Sequence, residues 1–316
     1  MLFNLFVYGK IWYYYNGDVM KVLCIGHAAY DITMQMDKFP LENSKSRTNK
    51  KVESTGGGAL TQSITLSKWG NKTYFLGCVG NDYFGDQILK TLNKNGVYTK
   101  YLDINKYKET SRSFVLVTPN GKRTTYTYCD NVKMKKVKLN FKPDVILVDG
   151  HEFDVSFDVI KKYKDAVSII DASRVDDDTL DLCKLVDYVV CSKDFATNLT
   201  NKKINYSNFS SLTKIYNILE DMFKTNIVIT LEDKGCLCKI DNEIKIIPSI
   251  DVEPIDTTGA GDIFHGAFAH YIIRKRPLEE VLRLSNIAGA LSTLYSGTIN
   301  SIVKIEEVEE KYNELR

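Results

Sequence analysis

Short runs of branched apolar residues recur along most of this chain, and stretches long enough for a helix separate them. "KVLCIG" (21–26), "TYFLGCVG" (73–80), "DVILVDG" (144–150), "AVSIID" (166–171), "LVDYVVCS" (185–192) and "NIVITL" (226–231) read as buried strands. Runs without polar alternation need cover on both faces, and parallel neighbours need crossovers of helical length. The expected fold is α/β, with a mostly parallel central sheet and helices on both faces. "ALTQSITLSKWG" (59–70), stopped by Gly70, and "DYFGDQILKTLNKNG" (82–96), with an acid at its start and glycine at its end, supply two of the helices. Ligands in such sheets sit at the carboxyl ends of the strands.

Two regions break the layered pattern. "SFVLVT", "PNG" and "KRTTYTY" form a β-hairpin with a turn signal and alternation, and residues 32–52 are extended. Together they are expected to make a small β lid, with segments near 32–52 and 110–130. A second hairpin, "CLCKIDNEIKII" (236–247), turns at Asp241–Asn242, with Cys236 and Cys238 on one side of its strand. No linker divides the chain, so residues 20–316 are expected to be a single domain. Residues 1–19 are aromatic and precede the clean start of the fold, and are expected to be a loose or non-native extension. Their apolar stretch is too short to span a bilayer and lacks a signal-peptide cleavage pattern.

The stretch "DTTGAGDIFHGAF" (256–268) carries the strongest chemical signal. Ile263, Phe264, Ala267, Phe268 and Tyr271 fall at helical spacing, and Asp256, Thr257 or Thr258 is expected to cap that helix. A helix start leaves N–H groups unpaired and carries partial positive charge. Gly259 and Gly261 put no side chain in front of them, so the terminus is a pocket for phosphate. Asp262 would repel such a ligand unless it takes the proton of an attacking hydroxyl while the amides hold the phosphoryl charge. "TGGGALTQ" (55–62) sets three glycines at another helix start, where a polar ligand could approach the backbone closely. No G-x-x-x-x-G-K-[ST] loop occurs, and "GAGDIFHG" is not the dinucleotide G-x-G-x-x-G, so P-loop and nicotinamide readings are weakened.

Net charge is +2, which points away from nucleic acid or an anionic membrane as a main partner. Seven scattered cysteines without a CxxC pair argue against disulfides or a zinc ribbon and for a reducing, cytoplasmic setting. The four histidines lack metal-site spacing, and His265 is read as packing or support within the motif helix. Lys133 to Lys138 read as a solvated face, and Asp176 to Asp178 as a helix start.

In "GHAAYDITMQMDKFP", "TGGGALTQSITLSKWG" and "DTTGAGDIFHGAF", in that order, the chain resembles the ribokinase-like sugar kinase family, often called PfkB, from about Lys21 to the last helix. "VLCIGHAAYDITMQMDKFP", "GKRTTYTY" and "VVCSKDFA" resemble its ketohexokinase and sulfofructose kinase branch most. The resemblance implies transfer of the ATP γ-phosphoryl to a small sugar, a ketose first. Asp262 would be the base, with the amides of Gly259, Ala260 and Gly261 as the anion hole. Asp31 would bind sugar hydroxyls, and Gly56, Gly57 and Gly58 would line the sugar pocket. Asp256 would help hold a monovalent cation, K⁺, and Mg²⁺ would ride on ATP. Thr230, Gly235 and Asn286 would flank the nucleotide, and a homodimer through the lid is implied.

Three departures bear on specificity. Thr61 stands where many relatives carry asparagine, which weakens a ribose or nucleoside reading. "CSKDFA" (191–196) stands for the N-x-x-E element near Mg²⁺, leaving Ser192 and Asp194 as candidates. Glu232 replaces a common glycine beside the nucleotide. Arg123, after the hairpin turn, is either a solvated charge or a contact to an anionic group. Arg112, Arg174, His151 and Glu152 are weaker candidates. The rival functions are a ribose or nucleoside kinase, a sugar- or nucleotide-sensing binding protein, and a nicotinamide oxidoreductase.

Overall fold

The computed structural model describes residues 19–118, 123–130 and 132–316, with the backbone only at Arg123. The 1–19 extension lies almost wholly outside the described residues. Five apolar runs become parallel strands: β1 (Lys21–Ile25), β9 (Val145–Val148), β10 (Val167–Ala172), β11 (Tyr188–Ser192) and β12 (Asn226–Thr230). With β4 (Lys72–Leu76) and the antiparallel hairpin β13 (Cys236–Ile240) and β14 (Glu243–Ile247), they form one eight-stranded sheet in the order β14-β13-β12-β11-β10-β9-β1-β4. The hairpin turns at Asp241 and Asn242, both at positive φ, as a tight two-residue connection demands.

Strand periodicity sends alternate side chains to opposite faces. Val22 and Cys24 enter one apolar core, and Leu23 and Ile25 the other. The first core is closed by α1 (Gly58–Lys68), α2 (Tyr83–Lys94), α7 (Ala260–Ile272), α8 (Leu278–Ser292) and α9 (Ile305–Glu314). The second is closed by α3 (Phe153–Lys162), α4 (Asp177–Cys183), α5 (Lys193–Thr200) and α6 (Phe209–Phe223). Cys236 and Cys238 join the first core while Leu237 joins the second, as alternation requires. Among the described residues no helix is long and apolar enough to cross a membrane.

The "TYFLGCVG" run is not one strand. It breaks at Gly77 into β4 and β5 (Cys78–Gly80), and β5 pairs with β6 (Asp103–Asn105) in a separate ribbon. A Cβ on Gly77 would lie 2.5 Å from the Gly26 carbonyl oxygen, so close backbone approach accounts for the glycine at the break. The expected lid is a second sheet, ordered β3-β2-β7-β8, of β2 (Ala29–Gln35), β3 (Lys51–Gly56), β7 (Arg112–Val117) and β8 (Arg123–Tyr128). It runs directly into the core, because β3 ends at Gly56 and α1 begins at Gly58. The strand order reverses between β1 and β9: the chain moves from β1 to β4 on one side, then returns to place the parallel β9 on the other. A crevice opens at such a point, beyond the strands' carboxyl ends.

Candidate active site

The crevice is built on Asp149, the residue that follows β9. Its Oδ2 accepts the backbone N–H of His27 (2.8 Å), after β1, and of Ala59 (3.1 Å), in the first turn of α1. Its Oδ1 accepts the His151 N–H (3.0 Å) and faces His151 Nδ1 at 3.1 Å. Burial alone would push this carboxyl up; the His151 ring and the amide of His27 overcome that and hold it well below the usual carboxylate range. His27 stacks on His151 with ring centroids 4.5 Å apart. Burial, then the neighbouring His151, push the His27 ring down to about 3, so it is neutral at physiological pH. One carboxylate thus pins three loops at the switch point.

Asp262 reaches the same place from the opposite side. A Cβ built on Gly58 would lie 3.5 Å from Asp262 Oδ1 and 3.5 Å from Asp149 Oδ2. The amino end of α1 therefore sits between two carboxylates, with no side chain of its own. Asp262 is half-buried, in the first turn of α7. The cap of α7 differs from expectation: Gly259 takes that position at φ 81° with no side-chain bond, and neither Asp256 nor a threonine caps. Asp256 instead accepts Thr258 N–H (2.9 Å) and Gly297 N–H (3.0 Å), tying the loop before α7 to the segment after α8. A Cβ on Gly261 would meet nothing within 4 Å, so space opens at the helix's positive end. The Ala260 N–H turns back to the Thr257 carbonyl at 3.4 Å, a long and weak bond.

Asp31 enters from the lid. A Cβ on Gly56 would fall 2.1 Å from Asp31 Oδ2, so the carboxyl occupies the place of that side chain. Burial raises the Asp31 carboxyl above its ordinary range, and a hydrogen bond with Ser113 on β7 opposes this. Gly57, at φ 103°, bends the backbone around the His27 carbonyl. Thr61 faces no open space: it is fully buried in α1, and its hydroxyl oxygen has no partner. The Arg123 side chain lies outside the described residues.

The nucleotide candidates gather at the far end of the crevice. Ser192 caps α5 by accepting Phe195 N–H (3.0 Å), with Asp194 in that helix's first turn. Thr230 ends β12 and reaches the Cys191 carbonyl at 3.3 Å. Glu232, in a single 3₁₀ turn (Glu232–Lys234), pairs with Lys193 at 2.7 Å. Gly235 is required by the chain itself, since a Cβ there would lie 2.0 Å from the Ile247 carbonyl oxygen. Asn286 is buried, and its amide donates to the carbonyls of Ile247 (2.9 Å) and Pro248 (3.3 Å). It braces the wall rather than lining open space. Beside that wall lies a cavity of about 660 Å³ lined by Pro248, Ser249, Ile250, Arg283 and Ile287 with the end of α9. Among the described residues no three His, Cys, Asp or Glu side chains cluster to hold a metal.

Other candidates have structural partners. Arg174 donates to His151 Nε2 (3.0 Å) and the Gly150 carbonyl (3.0 Å). Arg112 pairs with Glu109 and lies over the rings of Phe84 and Tyr128. Glu152 stands at φ 54° before α3, and Asp176 caps α4 as expected. Lys133 and Lys136 form exposed pairs with Asp154 and Asp158. Asp149 is not among the sequence candidates, although an aspartate closing the buried run "VILV" is a signal for it.

The profile described as "pfkB family carbohydrate kinase" matches residues 19–305. The chain is 27% identical to the ribokinase of Bacillus subtilis (strain 168) over 308 residues, covering 92% of this chain and 99% of the relative. Its fold is similar to the crystal structure of ribokinase from Thermotoga maritima, with a TM-score of 0.80 at 24% identity, over 94% of this chain and all of that one. It is also similar to Arabidopsis thaliana ribokinase complexed with ribose and ATP, with a TM-score of 0.78 at 20% identity, over 92% and 97% of the two chains. These relatives are ribokinases, and they do not single out the ketohexokinase branch.

Proposed function

The chain belongs to the pfkB family of carbohydrate kinases, phosphotransferases with an alcohol acceptor, and on that premise we propose that it moves the γ-phosphoryl of ATP to a hydroxyl of a ribose-type sugar. The observation that carries this reading is the meeting of the Asp262 carboxylate, the bare amino end of α1 and the open amino end of α7 at the switch point. The sugar hydroxyl gives its proton to an Asp262 oxygen as its own oxygen forms the new bond to phosphorus. The bond from phosphorus to the bridging oxygen breaks, and ADP leaves with that electron pair. The amides of Gly259, Ala260 and Gly261 face the charge on the moving group, so the protein supplies position and electrostatics rather than covalent chemistry.

Asp31 and the backbone of Gly56 to Gly58 orient the sugar, and the lid excludes water when the acceptor is seated. The purine of ATP enters the cavity beside Pro248, Ile250 and Ile287, whose size suits a ligand of that class. Ser192, Asp194, Thr230 and Glu232 lie along the way to it. Mg²⁺ would ride on the ATP phosphates and offset their charge, with Ser192 and Asp194 the candidates to steady it. Asp256, whose oxygens accept the amides of Thr258 and Gly297, would help hold K⁺ beside the open end of α7. Residues 20–316 act as one domain. Exposed Phe114, Tyr126 and Tyr128, which share one face of the lid, support pairing of two copies through that sheet.

A ketose acceptor is the second reading, resting on the resemblance of "GKRTTYTY" and "VVCSKDFA" to the ketohexokinase branch rather than on Thr61, which is buried away from the acceptor. ADP release measured with ribose, deoxyribose, fructose and adenosine separates the two, and turnover with ribose far above fructose is expected. Gly56→Ala provides a sharper test of the acceptor site. The new methyl displaces Asp31, and a displacement of that size costs about 10²-fold in kcat/KM for the sugar. KM for ATP is expected to hold within about twofold, because ATP takes no part in that contact. A parallel loss for both substrates would remove Asp31 from the sugar site.

A further inference from the structure

His265 is a buried titratable group on the helix that bears Asp262, and the reaction above leaves it without a role. It is 3% exposed. Its Nδ1 lies 2.6 Å from the Gly261 carbonyl oxygen, in the first turn of α7. Its Nε2 lies 3.2 Å from the Val190 carbonyl oxygen on β11 and 3.4 Å from Asp171 Oδ1 on β10. The other Asp171 oxygen accepts Gln62 Nε2 from α1 at 2.7 Å. A neutral imidazole donates from one nitrogen and presents a lone pair at the other. Here both nitrogens face oxygen, and the carbonyls of Gly261 and Val190 have no hydrogen to give. A neutral ring would set a lone pair against an oxygen in a buried place, where unmatched polar groups are costly.

We propose that His265 is held as an imidazolium paired with Asp171, and that the pair is a positioning device that ties the first turn of α7 to the ends of β10 and β11. The groups that bear on it are few. Asp149 and His151 stand at the end of β9, and Cys191 lies on β11 with its thiol pushed up by burial. Asp262 is one turn away on α7, and α1 offers the Gln62 amide. Burial drives the Asp171 carboxyl upward and the His265 charge opposes it. Moving the shared proton onto Asp171 would leave the pair's total of protons unchanged. The Val190 carbonyl at the same face places that proton on Nε2.

The protonation state is independent of the kinase reading, whereas its effect on turnover rests on that reading, so the test has two arms. In ¹⁵N spectra of the folded protein at pH 7, with the His265 signals assigned by their loss in His265→Asn, both ring nitrogens are expected at protonated shifts. A lone-pair nitrogen at pH 7 would overturn the proposal; the state is read on the wild-type protein, and His265→Asn serves only to assign its signals. In ADP release with ribose and ATP, His265→Phe keeps the ring's bulk but neither donor, and kcat is expected to fall about tenfold or more. Both KM values are expected to stay within about threefold, with partial recovery in His265→Asn, whose amide can reach the Gly261 carbonyl. Wild-type kcat in His265→Phe, or a loss confined to KM, would refute the positioning role. Failure of ribose to react while the spectra show imidazolium would count against the substrate and leave the pair standing.

Discussion

Asp262→Asn is expected to lower kcat by about 10²–10⁴-fold while leaving ATP affinity nearly unchanged. The amide fits the same volume in the first turn of α7 and keeps an oxygen near the amino end of α1, but it cannot accept the proton of the attacking hydroxyl. Asp262 is half-buried and stands in the favourable field of a helix start. Losing its charge should therefore cost only about 0.3–1 kcal/mol of stability, too little to unfold the protein. Rate and stability should separate cleanly. The measurement is steady-state ADP release beside nucleotide titration and thermal unfolding. A variant with near-normal turnover would take the base role from Asp262, and a variant that unfolds would recast the residue as structural.

Asp149→Ala is expected to cost about 3–5 kcal/mol, the largest stability effect of any single change considered for the crevice. The carboxylate accepts from three main-chain amides and faces the His151 ring, and its removal leaves those buried donors unmatched. Asp149→Asn should rescue little. Both oxygens of the wild-type group face donors, so one face of the amide must turn its NH₂ toward N–H groups. The pH dependence follows from the direction of the shift. The folded carboxyl lies below its unfolded value of about 3.9, so its contribution is full above that value and fades as pH falls toward the folded pKa. Denaturant unfolding of wild type and Asp149→Asn should show a gap that is constant near neutrality and narrows below about pH 4. A gap that widens in acid would mean that the folded carboxyl is raised.

The layered core was legible because each buried strand is a plain apolar run and each crossover has helical length. The late glycine motif was legible because glycines before an acid and an apolar periodicity have few structural uses. What stayed hidden depends on contacts between distant segments. Gly77 looks like one more small residue in a strand until the Gly26 carbonyl is seen against it, so the 73–80 run has the appearance of one strand in sequence. Gly235 and Asn286 serve the end of β14 rather than open space, and nothing local announces that partner. Asp256 was placed as a cap because acids favour helix starts, yet its oxygens are taken by Thr258 and Gly297, the second of which lies 41 residues away. The Asp171–His265 pair reaches across the sheet, where sequence distance carries no signal.

The central claim is that an acid beside an open helix terminus passes a phosphoryl group from ATP to a ribose-type sugar. Its most direct test is mass spectrometry of the products after incubation with ATP, Mg²⁺, K⁺ and ribose. The account predicts ribose carrying one added phosphoryl group in equal amount to the ADP formed, with almost none from Asp262→Asn. ADP that appears only with inorganic phosphate, or the same yield of sugar phosphate from Asp262→Asn, would contradict it.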